Sequence, residues 1–266
     1  MSMSSWGERV KLTIFGESHG PMIGMVLEGL SAGETIDLEA VKKQMARRAP
    51  GNDPTATARK ESDTPIIVSG ICNQITTGAP LCAVIENSNQ HSEDYESLKD
   101  IPRPGHADYA AFLRYHGFSD LRGGGHFSGR LTAPLVLAGA ICRQILERRG
   151  IVIGAHAYAI HDVFDTPFDS VNISAGTLSA LNTVFFPVID SKVQEKMRQE
   201  IETVRLQGDS VGGIVECACV GISGGYAEEG MFGGVESVLS SILFGIPACK
   251  GVEFGEGFKV SSLLGS

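Results

Sequence analysis

Long apolar runs are missing from this 266-residue sequence: no stretch reaches the roughly 20 residues that a membrane-spanning helix needs. The first residues, Met1 to Arg9, also lack the apolar core of a signal peptide. Positive charge is scarce. Lys and Arg number 22 against 31 Asp and Glu, a formal net charge of −9. Phosphate backbones require a basic footprint, so general DNA or RNA binding is excluded, while a small anion held by a local arginine cluster is not. Six cysteines are scattered without a C-x-x-C pair, which reads as reduced core thiols in a cytosolic protein.

Several chemical signatures are absent as well. There is no G-x-x-x-x-G-K-[ST], so a Walker nucleotide site has no support. H-E-x-x-H is missing and the seven histidines are widely spaced, so no zinc or other metal site is expected. No G-x-S-x-G elbow is present. The run Gly123-Gly124-Gly125 does not fit G-x-G-x-x-G, which makes a dinucleotide-binding fold improbable. No linker rich in Pro, Ser or charge divides the chain, and no short repeat is visible.

What the sequence does have is glycine, 33 of 266 positions or about 12%, against a usual level of roughly 7%. Without a three-residue period these glycines belong to turns and to close backbone approaches. Around them, Val10–Phe15, Met22–Leu30, Pro65–Ser69, Leu81–Glu86, Ile151–Ile160 and Ile214–Val220 read as strands, with a turn at Thr76-Thr77-Gly78. Asp37 caps an expected helix through Arg48 with Leu38, Val41 and Met45 as its apolar stripe. Polar loop covers Gln90–Pro104, and a short helix Ala107–Tyr115. A strong helix starts at Thr132 as N-cap and ends before Gly150, apolar nearly all round and therefore deeply buried. Asp190 caps another amphipathic helix with Val193, Met197, Ile201 and Val204, and Gly233–Phe244 forms the last. Hairpins alternate with helices rather than in strict βαβ units, so the expected class is α+β, antiparallel sheets packed on helices.

Three segments set chemically active residues inside glycine. Gly16-Glu17-Ser18-His19-Gly20 ends a strand and carries a histidine able to act as acid or base near neutral pH. Arg103-Pro104-Gly105-His106-Ala107-Asp108-Tyr109 brings an arginine, a histidine and an acid to one helix entrance. Arg122 to Arg130 offers free backbone N–H groups, a hydroxyl and two guanidinium groups leading to a helix, a plausible anion site. Plainer readings compete. The first could be an ordinary turn, Asp108 of the second could only cap its helix, and the third could be a flexible loop. A flexible loop would not need two arginines and a histidine. Arg47, Arg48 and Arg59 would extend an anion site, and together these residues suggest a small substrate with several negative charges.

Taken together the segments resemble the chorismate synthase family. The matching stretches are FGESHG (Phe15–Gly20), RRAPG (Arg47–Gly51), TTGAP (Thr76–Pro80), RPGHADY (Arg103–Tyr109), LRGGGHFSGR (Leu121–Arg130), GDSVGG (Gly208–Gly213) and KGVEFGEGF (Lys250–Phe258). The resemblance implies helices sandwiched between antiparallel sheets and a cytoplasmic homotetramer. It also implies a reduced-FMN-dependent 1,4-anti elimination of phosphate from 5-enolpyruvylshikimate 3-phosphate, giving chorismate. By the same resemblance His19 would protonate the departing phosphate and His106 would protonate or hold the reduced flavin. Ser18, Arg48, Arg59, Ser128 and Arg130 would bind the substrate. His126, Phe127, Ser128 and Ala248 would contribute to the flavin cradle. Arg48 lies where an NADPH contact is expected if the chain reduces its own flavin.

Two departures accompany the likeness. Many members carry Arg-Ser-Ser-Ala-Arg where this chain has His126-Phe127-Ser128-Gly129-Arg130, and Pro54 stands where a further arginine is common. Members also continue past Leu263–Ser266 with a flavin loop, a lysine segment and an acidic residue. The expectation is therefore one domain over 1–266 without the usual C-terminal part, with a non-catalytic family member as the alternative.

Overall fold

The computed structural model describes residues 4–51, 53, 55, 61–88, 101–225 and 231–265; Arg59 and Pro54 lie outside the described residues. The chain divides into two compact units. The first comprises Met1–Asn52, Ala58–Ile145 and Glu236–Val252. The second comprises Asp53–Thr57, Leu146–Val235 and Glu253–Ser266.

In the first unit β1 (Ser5–Trp6), β2 (Lys11–Gly16), β3 (Met22–Glu28), β4 (Pro65–Ser69) and β7 (Leu81–Glu86) form one sheet in the order β1-β2-β3-β7-β4. Every neighbour is antiparallel. β3 is central, and its apolar residues Ile23, Met25 and Leu27 are buried. Over this sheet lie α1 (Leu38–Arg48) and the first part of α3 (Thr132–Arg148). Val41 and Met45 of α1 and Leu137, Ile141 and Ile145 of α3 complete the core with Leu81 and Ile85 of β7. Each such side chain taken fully from water contributes roughly 1.5–3 kcal/mol. Asp37 caps α1, its Oδ1 accepting from the backbone N–H groups of Glu39 (2.9 Å) and Ala40 (3.1 Å). This unit also holds α2 (Asp108–Arg114) and α6 (Val235–Leu243), the latter beginning one residue ahead of the unit's last segment.

The second unit holds a three-stranded antiparallel sheet, β10-β8-β9, built from β8 (Val152–Ile160), β9 (Val163–Phe164) and β10 (Gly213–Val220). It also contains α4 (Ala175–Leu181) and α5 (Ser191–Leu206). On α5 only Met197 of the expected stripe is fully buried, and Asp190 caps the helix by accepting from Lys192 N at 2.9 Å. A short 3-10 turn covers Gly257–Ser262.

Helices and antiparallel sheets give the α+β class expected from the sequence. Four local readings change. The Thr76-Thr77-Gly78 turn gives way to a small hairpin of β5 (Ile71–Cys72) and β6 (Ile75–Thr76). Asn73 and Gln74 turn it with φ of 47° and 62°, the left-handed pair that a two-residue hairpin requires. Thr132 is not an N-cap: it is the first residue of α3, and its hydroxyl donates back to the Gly129 carbonyl (2.6 Å). α3 buries one face rather than its whole circumference, and Gly139 is exposed. The cysteines are all free, and none is fully buried, although Cys142 packs against the core. Cys217 and Cys219 alternate onto the exposed side of β10, Cys72 is exposed, and the others are half-buried. No helix among the described residues is long and apolar enough to cross a membrane.

Candidate active site

The centre of the site, in the first unit, is a stretch of backbone that only glycine can form. Gly123, Gly124 and Gly125 have φ of 58°, 86° and 53°, three successive left-handed residues that would each strain a side chain. Space forbids side chains as well. A Cβ on Gly123 would lie 2.2 Å from both Cε1 and Nδ1 of His19 and 3.0 Å from the Ser18 hydroxyl. One on Gly124 would lie 2.6 Å and 2.7 Å from Cε1 and Nε2 of His106. Two histidines far apart in the chain therefore rest on adjacent bare α-carbons.

His19 reaches this floor from the loop that joins β2 to β3. Gly20 N–H donates to Glu17 O (3.0 Å) to close the loop, and Ser18 N–H donates to Gly125 O (3.1 Å) to tie it to the glycine run. Asn87, just after β7, fixes the same loop with its amide, donating to Glu17 O (3.0 Å) and Gly20 O (2.7 Å). Ser18 and His19 are buried in consequence. Asp120 and Arg122 flank them as a two-pronged ion pair, 2.9 Å and 2.7 Å. The Arg122 hydrogen bonds, with a smaller contribution from His19, hold the Asp120 carboxyl below its ordinary pKa.

His106 is oriented from behind. Its Nδ1 lies 2.6 Å from Asp108 Oδ1, so the N–H is donated to the carboxylate and Nε2 faces Gly124. Asp108 is in turn gripped by Arg103 through Nε (2.7 Å), Nη2 (2.9 Å) and the backbone N–H (3.1 Å). The side-chain bonds from Arg103 hold its carboxyl well below the usual carboxylate range, aided by the Arg103 backbone and by His106. Asp108 does not cap α2: the N-cap position is Ala107, and no side chain bonds there.

A second cluster adjoins the loop. Arg48, at the end of α1, and Arg130, in the short turn (Gly129–Leu131) just ahead of α3, both donate to the buried carboxylate of Asp63. Arg130 also donates to Asn87 Oδ1 (3.0 Å) and to Glu86 O (3.2 Å), and Glu61 lies 3.9 Å away. Asn87 thus joins the arginine cluster to the His19 loop by direct hydrogen bonds.

The remaining expected residues have plainer surroundings. His126 is a strap, with Nδ1–H on Gly16 O (2.8 Å) and Nε2 accepting from the Ser4 hydroxyl (2.5 Å). The Phe127 ring lies 6.3 Å from that of Tyr115. Ser128 Oγ accepts from Arg130 N–H (3.2 Å) and caps the turn that leads into α3. Ala248 follows α6 in exposed, left-handed backbone (φ 67°), and among the described residues no hydrogen bond links it to the two clusters. Sequence reasoning missed Asp63, Glu61 and Asn87. The RKESD run (Arg59–Asp63) carried a local signal, two acids beside two bases, whereas nothing in the sequence marked Asn87. Among the described residues no group of His, Cys, Asp and Glu is arranged to hold a metal ion.

Comparison with known proteins matches residues 10–266 to the family model for chorismate synthase. The chorismate synthase of Lancefieldella parvula is 43% identical over 277 residues, covering 100% of this chain and 72% of that protein. That of Pyrococcus abyssi is 44% identical over 264 residues, covering 98% and 70%. A solved structure described as a chorismate synthase superposes with a TM-score of 0.76 at 23% identity, covering 97% of this chain and 71% of that one, which shows a shared fold.

Proposed function

The chain belongs to the chorismate synthase family, and from that premise we propose that it converts 5-enolpyruvylshikimate 3-phosphate to chorismate and inorganic phosphate. The observation that carries this reading is the seating of His19 and His106 on adjacent glycines, with the His19 loop hydrogen-bonded through Asn87 to Arg130, which shares Asp63 with Arg48. The substrate carries a phosphate and two carboxylates, and leaving phosphate needs both positive charge and a proton.

His19 is the proton donor in this proposal. Buried in its loop and backed by Ser18, it is shielded from bulk water, and its proton goes to the bridging oxygen as the carbon–oxygen bond breaks. Arg48 and Arg130 bind the anionic groups, with the donors that remain after Asp63 has taken one N–H from each, Asn87 and Glu86 O two more from Arg130, and Thr132 one from Arg48. Ser18 and Ser128 add hydroxyl contacts. His106, its Nδ1–H fixed on Asp108, keeps Nε2 as its working atom towards the glycine floor.

A planar, partly apolar, anionic ring system suits this region. Tyr109, Phe112, Tyr115 and Phe118, on or just after α2, are exposed, and Tyr115 meets Phe127. Reduced FMN fits that chemistry, and bound there it would supply transient electron donation, returned as the C6 hydrogen leaves. His106, Phe127 and Ser128 would hold it, with Ala248 at the margin and His126 contributing by anchoring its neighbours, since both its ring nitrogens are engaged. NADPH enters only as a flavin reductant, read out as NADPH oxidation without an added reductase. A cytoplasmic homotetramer is the expected setting, and sedimentation measures the assembly.

The test is anaerobic incubation with reduced FMN and 5-enolpyruvylshikimate 3-phosphate, following chorismate absorbance and phosphate together. Equimolar products support the proposal; folded protein that yields neither overturns it. His19→Ala and His106→Ala are each expected to lower kcat by about a hundredfold, with KM changed only a few-fold. A rise in KM at unchanged kcat would remove the proton-transfer roles.

A further inference from the structure

We infer that Asp63 is a positioning residue for the substrate anion: one buried carboxylate that holds the guanidinium groups of Arg48 and Arg130 side by side. The inference rests on the reading above that these two arginines bind substrate. Asp63 has no exposed surface, and its two oxygens face different partners, Oδ2 taking Arg48 Nη1 and Oδ1 taking Arg130 Nη1. Its own backbone is left-handed at φ 48°, a conformation that Asp and Asn tolerate better than most residues.

The surroundings complete the clamp. Arg48 also reaches the Thr132 hydroxyl (3.4 Å), and Arg130 is fixed by Asn87 Oδ1 and Glu86 O. Glu61, 3.9 Å from Arg130, is itself held by the backbone N–H (3.1 Å) and hydroxyl (2.9 Å) of Ser88. Two guanidinium groups brought this close repel each other, so a carboxylate between them is what keeps the pair together. A guanidinium has five N–H donors; with one from each given to Asp63, two more of Arg130 given to Asn87 and Glu86 O, and one of Arg48 given to Thr132, each arginine keeps a share for a ligand.

Positioning and simple charge make opposite predictions. Near a polyanion site, removing a negative charge should tighten binding by Coulomb attraction alone. If Asp63 acts by positioning, removing it weakens binding although the pocket becomes more positive. The probe is 5-enolpyruvylshikimate 3-phosphate, titrated directly by calorimetry onto the full chain and onto Asp63→Asn and Asp63→Glu, each checked for folding by circular dichroism. Asn keeps the shape and the backbone tolerance. Glu keeps the charge between the arginines, which preserves the fold, but displaces it by one methylene.

The expected result is a Kd weakened about tenfold for Asp63→Asn and at least about threefold for Asp63→Glu. In turnover, KM rises with kcat within about threefold. Unchanged or tighter binding by Asp63→Asn overturns the inference, as does Asp63→Glu with the Kd of the unsubstituted chain. Failure of the unsubstituted chain to bind the compound would refute the functional reading itself and this inference with it. A chain that binds without turnover still tests Asp63.

Discussion

At His106 the orientation of the ring depends on a residue behind it. Asp108 takes the Nδ1–H at 2.6 Å, and the hydrogen bonds of Arg103 keep that carboxyl ionised far into acid. A carboxyl whose folded pKa lies below its unfolded value of about 3.9 stabilises the fold fully above that pH. The stabilisation is lost only as pH falls through the lower folded value, so stability rises with pH across that window. Asp108→Asn removes this component. Urea denaturation between about pH 2 and pH 5 should show a flatter stability profile for the variant, and turnover at neutral pH should fall about tenfold to a hundredfold. An unchanged acid slope would mean that the ion pair is not maintained in solution.

Gly123 is the other residue whose identity is forced. A methyl there would meet the His19 ring at 2.2 Å and adopt left-handed backbone. Gly123→Ala should cost about 1–2 kcal/mol in backbone strain by denaturant titration, and it should lower kcat by pushing the imidazole off the glycine floor. Normal activity in that variant would show that the histidine works from elsewhere.

Among the elements, β8 and β10 of the second unit are joined by a polar triad in which His156 and Asp165 are buried and Glu216 is partly exposed. His156 lies with Nδ1 2.9 Å from Asp165 Oδ2 and Nε2 2.8 Å from Glu216 Oε2, and neither His156 nor Asp165 exposes its side chain. Asp165 also accepts the backbone N–H groups of Ile189 (2.5 Å) and Asp190 (2.9 Å), just ahead of α5. Burial alone would push the Asp165 carboxyl up; the backbone donors and His156 outweigh it and bring it below its ordinary pKa. Neutralising Asp165 leaves His156 and the backbone N–H groups of Ile189 and Asp190 without the charge they face. Asp165→Asn should therefore destabilise the protein by about 3 kcal/mol, measured as a lower urea midpoint, with little effect on the chemistry of the first unit. A loss under about 0.5 kcal/mol would show the triad to be solvated.

For the molecule as a whole, the repeating local patterns could be read from the sequence. Alternation gave β2, β3, β7, β8 and β10 to within a residue or two, and capping by Asp37 and Asp190 gave the starts of α1 and α5. The short elements β1, β5, β6, β9 and α4 were not legible, because two to seven residues carry too little periodicity to stand out. The catalytic candidates were legible as types, since glycine-flanked histidines and arginines are rare combinations. By itself the sequence determined which residues are candidates, His19, His106 and the Arg122–Arg130 segment, and that three successive glycines stand at 123–125. Only the tertiary structure decided that the two histidines share one floor, that Asp108 is a partner of His106 rather than a helix cap, and that Asp63 and Asn87 join the arginines to the His19 loop. Those pairings depend on sheet register and on backbone approaches between residues far apart in the chain, and local spacing carries no information about either.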